Sequence, residues 1–421
     1  MALGLEMFIK TRSTKKTNDL NVTTPVSYST GFMPLDYLNG QRVQVFDENE
    51  NIVKEYDSVG FVEGTFVTII ADPGLGKTTA AQQFAVEIAS RFSESFVVHE
   101  DIEQASHINR VRNITYRQPN WIRSHYAIYQ DTHTENIIDR FLDHAKMKLN
   151  NRKVFEYDTG LEDMFGKPIK RLIPTICIID SLAVMRSEDS SVSDVGKNKD
   201  DIENTTSNMF AARNAKFNSE MFRQILPYAK KANIILFVIN QINRKIDVGF
   251  VKSARDLVGL GENETISGGR ASLYLANNVL RFKNKGMLKP DKEYGINGHI
   301  VDATFYKSRT NASNVSCELI FDKQTGFSPA LSLLHFSINA NITKKKGNKY
   351  YIPGHEDIQF SKKNFCDVAA ENPIIVNTLY DLCLPHFQKF LSVAIDDEFN
   401  DEDDDNNSYS SIMNMLDDDD M

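Results

Sequence analysis

The stretch Ala71-Asp-Pro-Gly-Leu-Gly-Lys-Thr-Thr79 constrains the fold more than any other part of the chain. It follows the apolar run Thr65-Phe-Val-Thr-Ile-Ile70 and leads into residues 79–89, where apolar side chains recur at helical spacing. Strand, glycine-rich loop and helix start are the context in which a phosphate-binding loop works. Gly74 and Gly76 let backbone N–H groups close around phosphate oxygens at the positive end of a helix. Lys77 is expected to reach the β- and γ-phosphates, and the Thr78 hydroxyl to ligate Mg2+. Ala71, Asp72, Pro73, Gly74, Leu75, Gly76, Lys77, Thr78 and Thr79 are therefore candidate contacts to a nucleoside triphosphate, with Ala71 where the pattern usually has Gly. The alternative, a chance glycine-rich turn, does not account for the full spacing with correct flanks on both sides.

Downstream, apolar strands alternate with helical stretches. Strands are expected at 65–70, 95–99, 175–179, 233–239, 278–283 and 299–306, and helices at 78–91, 134–149 and 206–230. Such alternation predicts βαβ units: an α/β core with a mainly parallel twisted sheet flanked by helices. Residues 41–58 alternate about a polar turn and read as a hairpin inserted before the nucleotide-binding strand. Residues 339–352 read as a basic hairpin, and 372–394 as largely helical. The expected organisation is an N-terminal arm (1–27), an ATPase core (28–330), a small C-terminal domain (331–395) and a disordered acidic tail (396–421).

The formal net charge of −9 misleads unless it is divided. Residues 396–421 hold twelve Asp or Glu and no Lys or Arg; without them 45 acidic residues face 48 basic ones, a balance of +3. The body is slightly basic, and the tail is either a solvated solubility device or an electrostatic competitor for a DNA-binding surface. No apolar run approaches the ~20 residues that span a bilayer. Cys177, Cys317, Cys366 and Cys383 lack metal-ligand spacing, and the N-terminus carries no cleavable signal pattern. A cytoplasmic location with reduced thiols is expected.

Three further places bear on nucleotide chemistry. Thr175-Ile-Cys-Ile-Ile-Asp180 is an apolar strand ending in an acid, and Asp180 is expected to hold the hydration shell of Mg2+, through water, beside Thr78. Glu100, Asp101 and Glu103, at the end of the 95–99 strand and in the loop after it, supply candidates for the carboxylate that orients the attacking water; at least two should be solvated loop acids. Asn240 and Gln241 end a central strand, where they either sense the γ-phosphate or merely cap the strand.

The order of these motifs resembles the bacterial RecA recombinases and the phage UvsX-type recombinases, over roughly residues 28–352. Ser29-Thr-Gly-Phe-Met-Pro-Leu-Asp36 is similar to the family's opening motif, Asp101-Ile-Glu103 to its Asp-x-Glu, and Ile179-Asp-Ser181 to its second nucleotide motif. The run Ile239 to Phe250 resembles the opening of the second DNA-binding loop, and Thr265 to Gly269 its close. Tyr306-Lys-Ser-Arg-Thr310 is similar to the Lys-Ser-Arg-Thr of phage recombinases.

The resemblance implies an ATP- and Mg2+-dependent, DNA-dependent ATPase that forms helical filaments on single-stranded DNA and pairs it with duplex DNA. It singles out Glu103 as the catalytic acid, with Lys77 and Gln241 in the same site. It makes Lys307 and Arg309 a basic pair that reaches the neighbouring protomer's ATP. Arg110 stands where the family has an adenine-stacking Tyr. Expected DNA contacts are Asn243, Arg244, Lys245, Ile246, Phe250, Lys252, Arg255, Gly268, Gly269 and Arg270, a mixture of phosphate-binding charge and apolar wedges suited to single-strand binding. A loading mediator and a single-strand-binding protein would be further partners. The hairpin 41–58, a longer second loop and the polar stretch 187–207 depart from the family pattern. A ring helicase of the same superfamily, and an ATP-binding filament protein with no DNA role, are the competing readings.

Overall fold

The structure, a computed structural model, describes residues 24–185, 206–244, 259–261 and 263–391. Its centre is a ten-stranded sheet. In chain order its principal strands are β1 (Phe66–Ala71), β2 (Val97–Asp101), β3 (Tyr126–Tyr129), β4 (Thr175–Asp180), β5 (Ile234–Arg244), β6 (Asn278–Leu288), β7 (Gly298–Lys307), β8 (Val315–Asp322) and β9 (Gly326–Phe327). Their spatial order is β9-β8-β7-β6-β1-β5-β4-β2-β3. The six strands from β6 to β3 run parallel, and β7, β8 and β9 extend the sheet antiparallel. All six anticipated strands are present.

Strands β1, β4 and the first part of β5 are buried throughout, because helices cover both faces. Period-two alternation divides their side chains. Ile176, Ile178, Ile235 and Phe237 join Phe84 and Ala85 of α1 (Lys77–Ala89) on one face. Cys177, Ile179, Leu236 and Val238 join Phe141 of α2 (Thr134–Asn150) and Phe222 of α3 (Thr206–Ala232) on the other.

Residues 41–58 form the expected antiparallel hairpin, Gln41–Phe46 against Ile52–Ser58. It leans on a second hairpin, Glu156–Glu162 with Pro168–Leu172, through the Tyr56 hydroxyl, which donates to the Glu162 carbonyl at 2.7 Å. At the N-terminal side, Ser27–Tyr28 pairs with Phe61–Val62, so residue 27 already belongs to a strand. The basic hairpin is present as Lys344–Lys346 and Lys349–Ile352, with His355–Phe360 as a third strand. A third apolar cluster joins Leu334 of helix Pro329–Asn339 and Leu379 of helix Ile374–Gln388 to Met33 and Tyr37. Residues 1–23 and the acidic tail 396–421 lie outside the described residues. Among those described, no helix is long and apolar enough to cross a membrane.

Candidate functional site

The loop after β1 turns through Gly74 and Gly76, both at positive φ, and α1 starts directly at Lys77. Gly76 is the helix N-cap and no side chain caps the first turn, which leaves backbone N–H groups to face a ligand. A Cβ at Gly76 would also meet the rings of Phe321 and Phe327 at 2.8 Å. Gly76→Ala therefore combines a left-handed backbone with a clash. It is expected to cost about 1–3 kcal/mol of stability from the backbone alone, and to abolish nucleotide binding, as thermal unfolding and titration with a fluorescent ATP analogue would show.

Lys77 lies folded over its own loop, its Nζ donating to the carbonyls of Ala71 and Asp72 at 3.1 Å each. Burial lowers its pKa, against the opposing charges of Asp180, Glu103 and Asp72. Thr78 Oγ1 donates to Asp180 Oδ2 at 2.6 Å. Burial pushes the Asp180 carboxyl up to about 7, with the Thr78 hydroxyl pulling the other way. A hydroxyl and a carboxylate oxygen in contact at the mouth of an uncapped glycine loop are a donor set that suits Mg2+ accompanying a triphosphate.

The three acids near the end of β2 divide sharply. Glu100 is buried and takes both ends of the Arg140 guanidinium, at 2.6 and 3.0 Å. Asp101 is buried and accepts the N–H groups of Ala105 and Ser106 together with Gln130 Nε2. Neither is the solvated loop acid expected from sequence: Glu100 ties β2 to helix α2, and Asp101 holds the loop after β2. Glu103 alone of the three faces the cleft beside the glycine loop, a space of about 440 Å3 also lined by Lys77, Thr78, Asp180 and Gln241. Its Oε1 accepts from the Ser181 hydroxyl and from Gln241 Nε2, the latter at 3.2 Å. Ser181 escaped the sequence reading as a site residue, although a hydroxyl directly after the strand-end Asp180 was a usable signal. Phe321 and Lys323 also line the cleft and carried no signal, since they come from the far antiparallel part of the sheet.

Strand β5 does not end at Ile239 as expected. It continues to Arg244 and pairs antiparallel with Glu264–Ile266, placing Asn243 opposite Thr265. Asn240 Nδ2 and Asn243 Nδ2 both bond to Ser267, and Arg244 forms an ion pair with Asp72 of the phosphate loop at 3.2 Å. The ribbon thus rises out of the cleft. Lys245, Ile246, Phe250, Lys252 and Arg255 lie outside the described residues. Gly268 has a packing role: its carbonyl accepts from Asn218 Nδ2, which a Cβ there would approach to 2.7 Å. Gly269 packs as closely against Ala215 of α3, and Arg270 is exposed.

Arg110 spends its guanidinium on the carbonyls of Lys323 and Gln324, bridging to the turn between β8 and β9. Lys307 and Arg309 sit elsewhere. Lys307 pairs across the sheet with Val279 of β6, which in turn pairs with Thr68 near the start of β1. The phosphate loop leaves the other end of β1, on the order of 15 Å away by strand rise and spacing. Lys307 Nζ rests instead on the carbonyls of Leu273 and Tyr274, at 3.3 and 2.8 Å, and burial lowers its pKa, with Arg309 adding to the shift.

A parallel sheet flanked by helices, with an uncapped glycine loop between β1 and α1 and an acid ending β4, is the architecture of a phosphate-loop α/β fold. Among curated proteins the chain is similar to protein RecA of Acholeplasma laidlawii, 25% identical over 243 residues, which is 57% of this chain and 66% of that one. Protein RecA of Malacoplasma penetrans is 25% identical over 227 residues, 54% of this chain and 60% of its own. Protein RecA of Paracoccus denitrificans is 24% identical over 207 residues, with shares of 49% and 51%. The chain thus spans between about half and two thirds of the length of these relatives. No protein-family model matches it. The likeness is distant, and the sheet is consistent with a RecA-like core.

Proposed function

We propose that this chain is a DNA-dependent ATPase of the RecA kind, a recombinase that polymerises on single-stranded DNA and pairs it with homologous duplex. The observation that carries the reading is the continuity of β5. One strand places Gln241 on Glu103 in the cleft beside the phosphate loop and, three residues later, Arg244 directly ahead in sequence of the segment that contains Lys245, Phe250, Lys252 and Arg255. The candidate catalytic residues and a segment whose composition suits single-strand binding are thus joined through one strand.

In this reading the N–H groups of the loop and Lys77 hold the phosphates, Thr78 and Asp180 hold Mg2+, and Glu103 orients the attacking water. Bound Mg2+ supplies neutralisation of phosphate charge. Gln241 exchanges its bond to Glu103 for one toward the γ-phosphate and shifts the ribbon. Lys307 and Arg309, too far from their own loop, act on the ATP of the adjoining protomer, which makes hydrolysis a property of the filament. Arg110 and the turn it bridges border the base. The lysine hairpin 344–349 is the candidate receiver of duplex DNA. The Lys307-Ser-Arg-Thr310 run favours a phage-type member of the group.

Electron microscopy of the protein with single-stranded DNA and a slowly hydrolysed ATP analogue tests the reading. Extended helical filaments are expected. Closed hexameric rings would move the assignment to a helicase, and bare DNA would leave only an ATPase.

A further inference from the structure

The opening motif Ser29 to Asp36 does not line the cleft beside the phosphate loop, yet it is densely hydrogen-bonded. The Asp36 carboxylate is buried and accepts from Ser29 Oγ at 2.6 Å, Thr30 N–H at 2.9 Å and Thr30 Oγ1 at 2.7 Å. These bonds fix the start of helix Met33–Leu38, and its C-cap is Asn39, which is 1% exposed. Asn39 Nδ2 donates to the Gly60 carbonyl at 2.9 Å. Its Oδ1 accepts from Asn278 Nδ2 at 2.6 Å and from the Ser308 hydroxyl at 3.0 Å.

Ser308 lies between Lys307 and Arg309. Its Oγ also accepts the N–H groups of Thr310 and Asn311, at 3.1 and 3.0 Å, so one hydroxyl closes the turn that follows β7. On the far side of that turn Asn311 Nδ2 donates to the Phe390 carbonyl at 2.6 Å. Between these anchors Arg309 is exposed.

We infer that Asn39 and Ser308 are positioning residues for the Lys307–Arg309 pair: the opening motif holds Asn39, Asn39 holds Ser308, and Ser308 sets the turn that directly follows Lys307 and carries the exposed Arg309. Charge stabilisation at a transferring phosphoryl group depends on placement, and a small displacement of the donor forfeits most of it. Ser308 is the hydroxyl that permits this arrangement, because it donates to Asn39 while accepting from two backbone N–H groups. The inference rests on the proposal that the pair acts on the neighbour's ATP.

The test is DNA-stimulated ATP hydrolysis by the full chain, with poly(dT) and Mg2+. Ser308→Ala is expected to lower kcat about 10- to 100-fold with KM for ATP within about twofold. Ser308→Thr, which keeps the hydroxyl, should restore most of the rate, and Ser308→Cys, a weaker donor and acceptor, should fall between. Mixing Ser308→Ala with Glu103→Gln supplies intact basic pairs from subunits that cannot hydrolyse, and should raise the rate per Ser308→Ala subunit. A general packing defect would show neither the hydroxyl series nor that gain. Ser308→Ala at the unmutated rate, or no gain on mixing, overturns the inference while Lys307→Ala remains defective. If Lys307→Ala also hydrolyses normally, the trans reading falls and the inference with it.

Discussion

Lys307→Ala is expected to lower DNA-stimulated ATP hydrolysis about 100- to 1,000-fold, the usual cost of removing one charge-stabilising donor from a transition state. ATP binding by the isolated subunit should stay within about twofold, because a group that acts only in the transition state does not contribute to ground-state affinity. The asymmetry follows from the sheet. Lys307 ends a strand antiparallel to β6, so it lies at the pole opposite the phosphate loop and rests on the carbonyls of Leu273 and Tyr274. No rotamer brings it to the loop of its own subunit. A head-to-tail contact between identical subunits brings one pole of a protomer against the other pole of the next, the geometry of an open helical assembly or, where the rotation closes, of a ring.

Mixing experiments make this quantitative. In a random one-to-one co-filament of Lys307→Ala and Glu103→Gln, half of the sites keep Glu103 and half of those face an intact Lys307, so about a quarter of all sites should hydrolyse. Each variant alone should be nearly inactive. A mixture no faster than its components, or a parallel loss of ATP binding by Lys307→Ala, would place the residue within its own subunit's chemistry.

What was legible in the sequence is what local spacing encodes. The Val- and Ile-rich runs of β1, β4 and β5 read correctly because strands buried on both faces are continuously apolar. The strand, glycine turn and helix start around 71–79 were legible because every residue that shapes them is adjacent in the chain. Long-range partners were not legible. Nothing near Glu100 or Asp101 announces that Arg140 lies forty residues on, or that Asp101 caps its own loop; exposure could not be assigned to the right acid by composition. The sequence ends strand β5 too early because Asn240-Gln-Ile-Asn-Arg244 is polar and its pairing partner 264–266 lies twenty or more positions further along the chain. The Asn39–Ser308 bond spans 269 positions, and neither residue has a periodicity to betray it.

Glu103→Gln is expected to reduce kcat about 100- to 10,000-fold, the range that a positioned general base contributes. The choice of Glu103 over its neighbours is structural. Glu100 is neutralised by Arg140, and Asp101 is committed to the N–H groups of Ala105 and Ser106. Only Glu103 of the three opens on the cleft, where it lies with Lys77 and the Thr78–Asp180 pair. The Ser181 hydroxyl and Gln241 amide hold the same oxygen, Oε1, and so fix the direction of the carboxylate. Glutamine preserves the shape and can still accept from Ser181, but it cannot take a proton from water. ATP affinity and assembly on single-stranded DNA should survive, and filaments should persist longer, because the step that releases them is blocked. Single-turnover hydrolysis measured beside filament lifetime separates the two effects. Normal hydrolysis by Glu103→Gln would mean that another group orients the water and that the Glu103–Gln241 contact serves only to seat the ribbon.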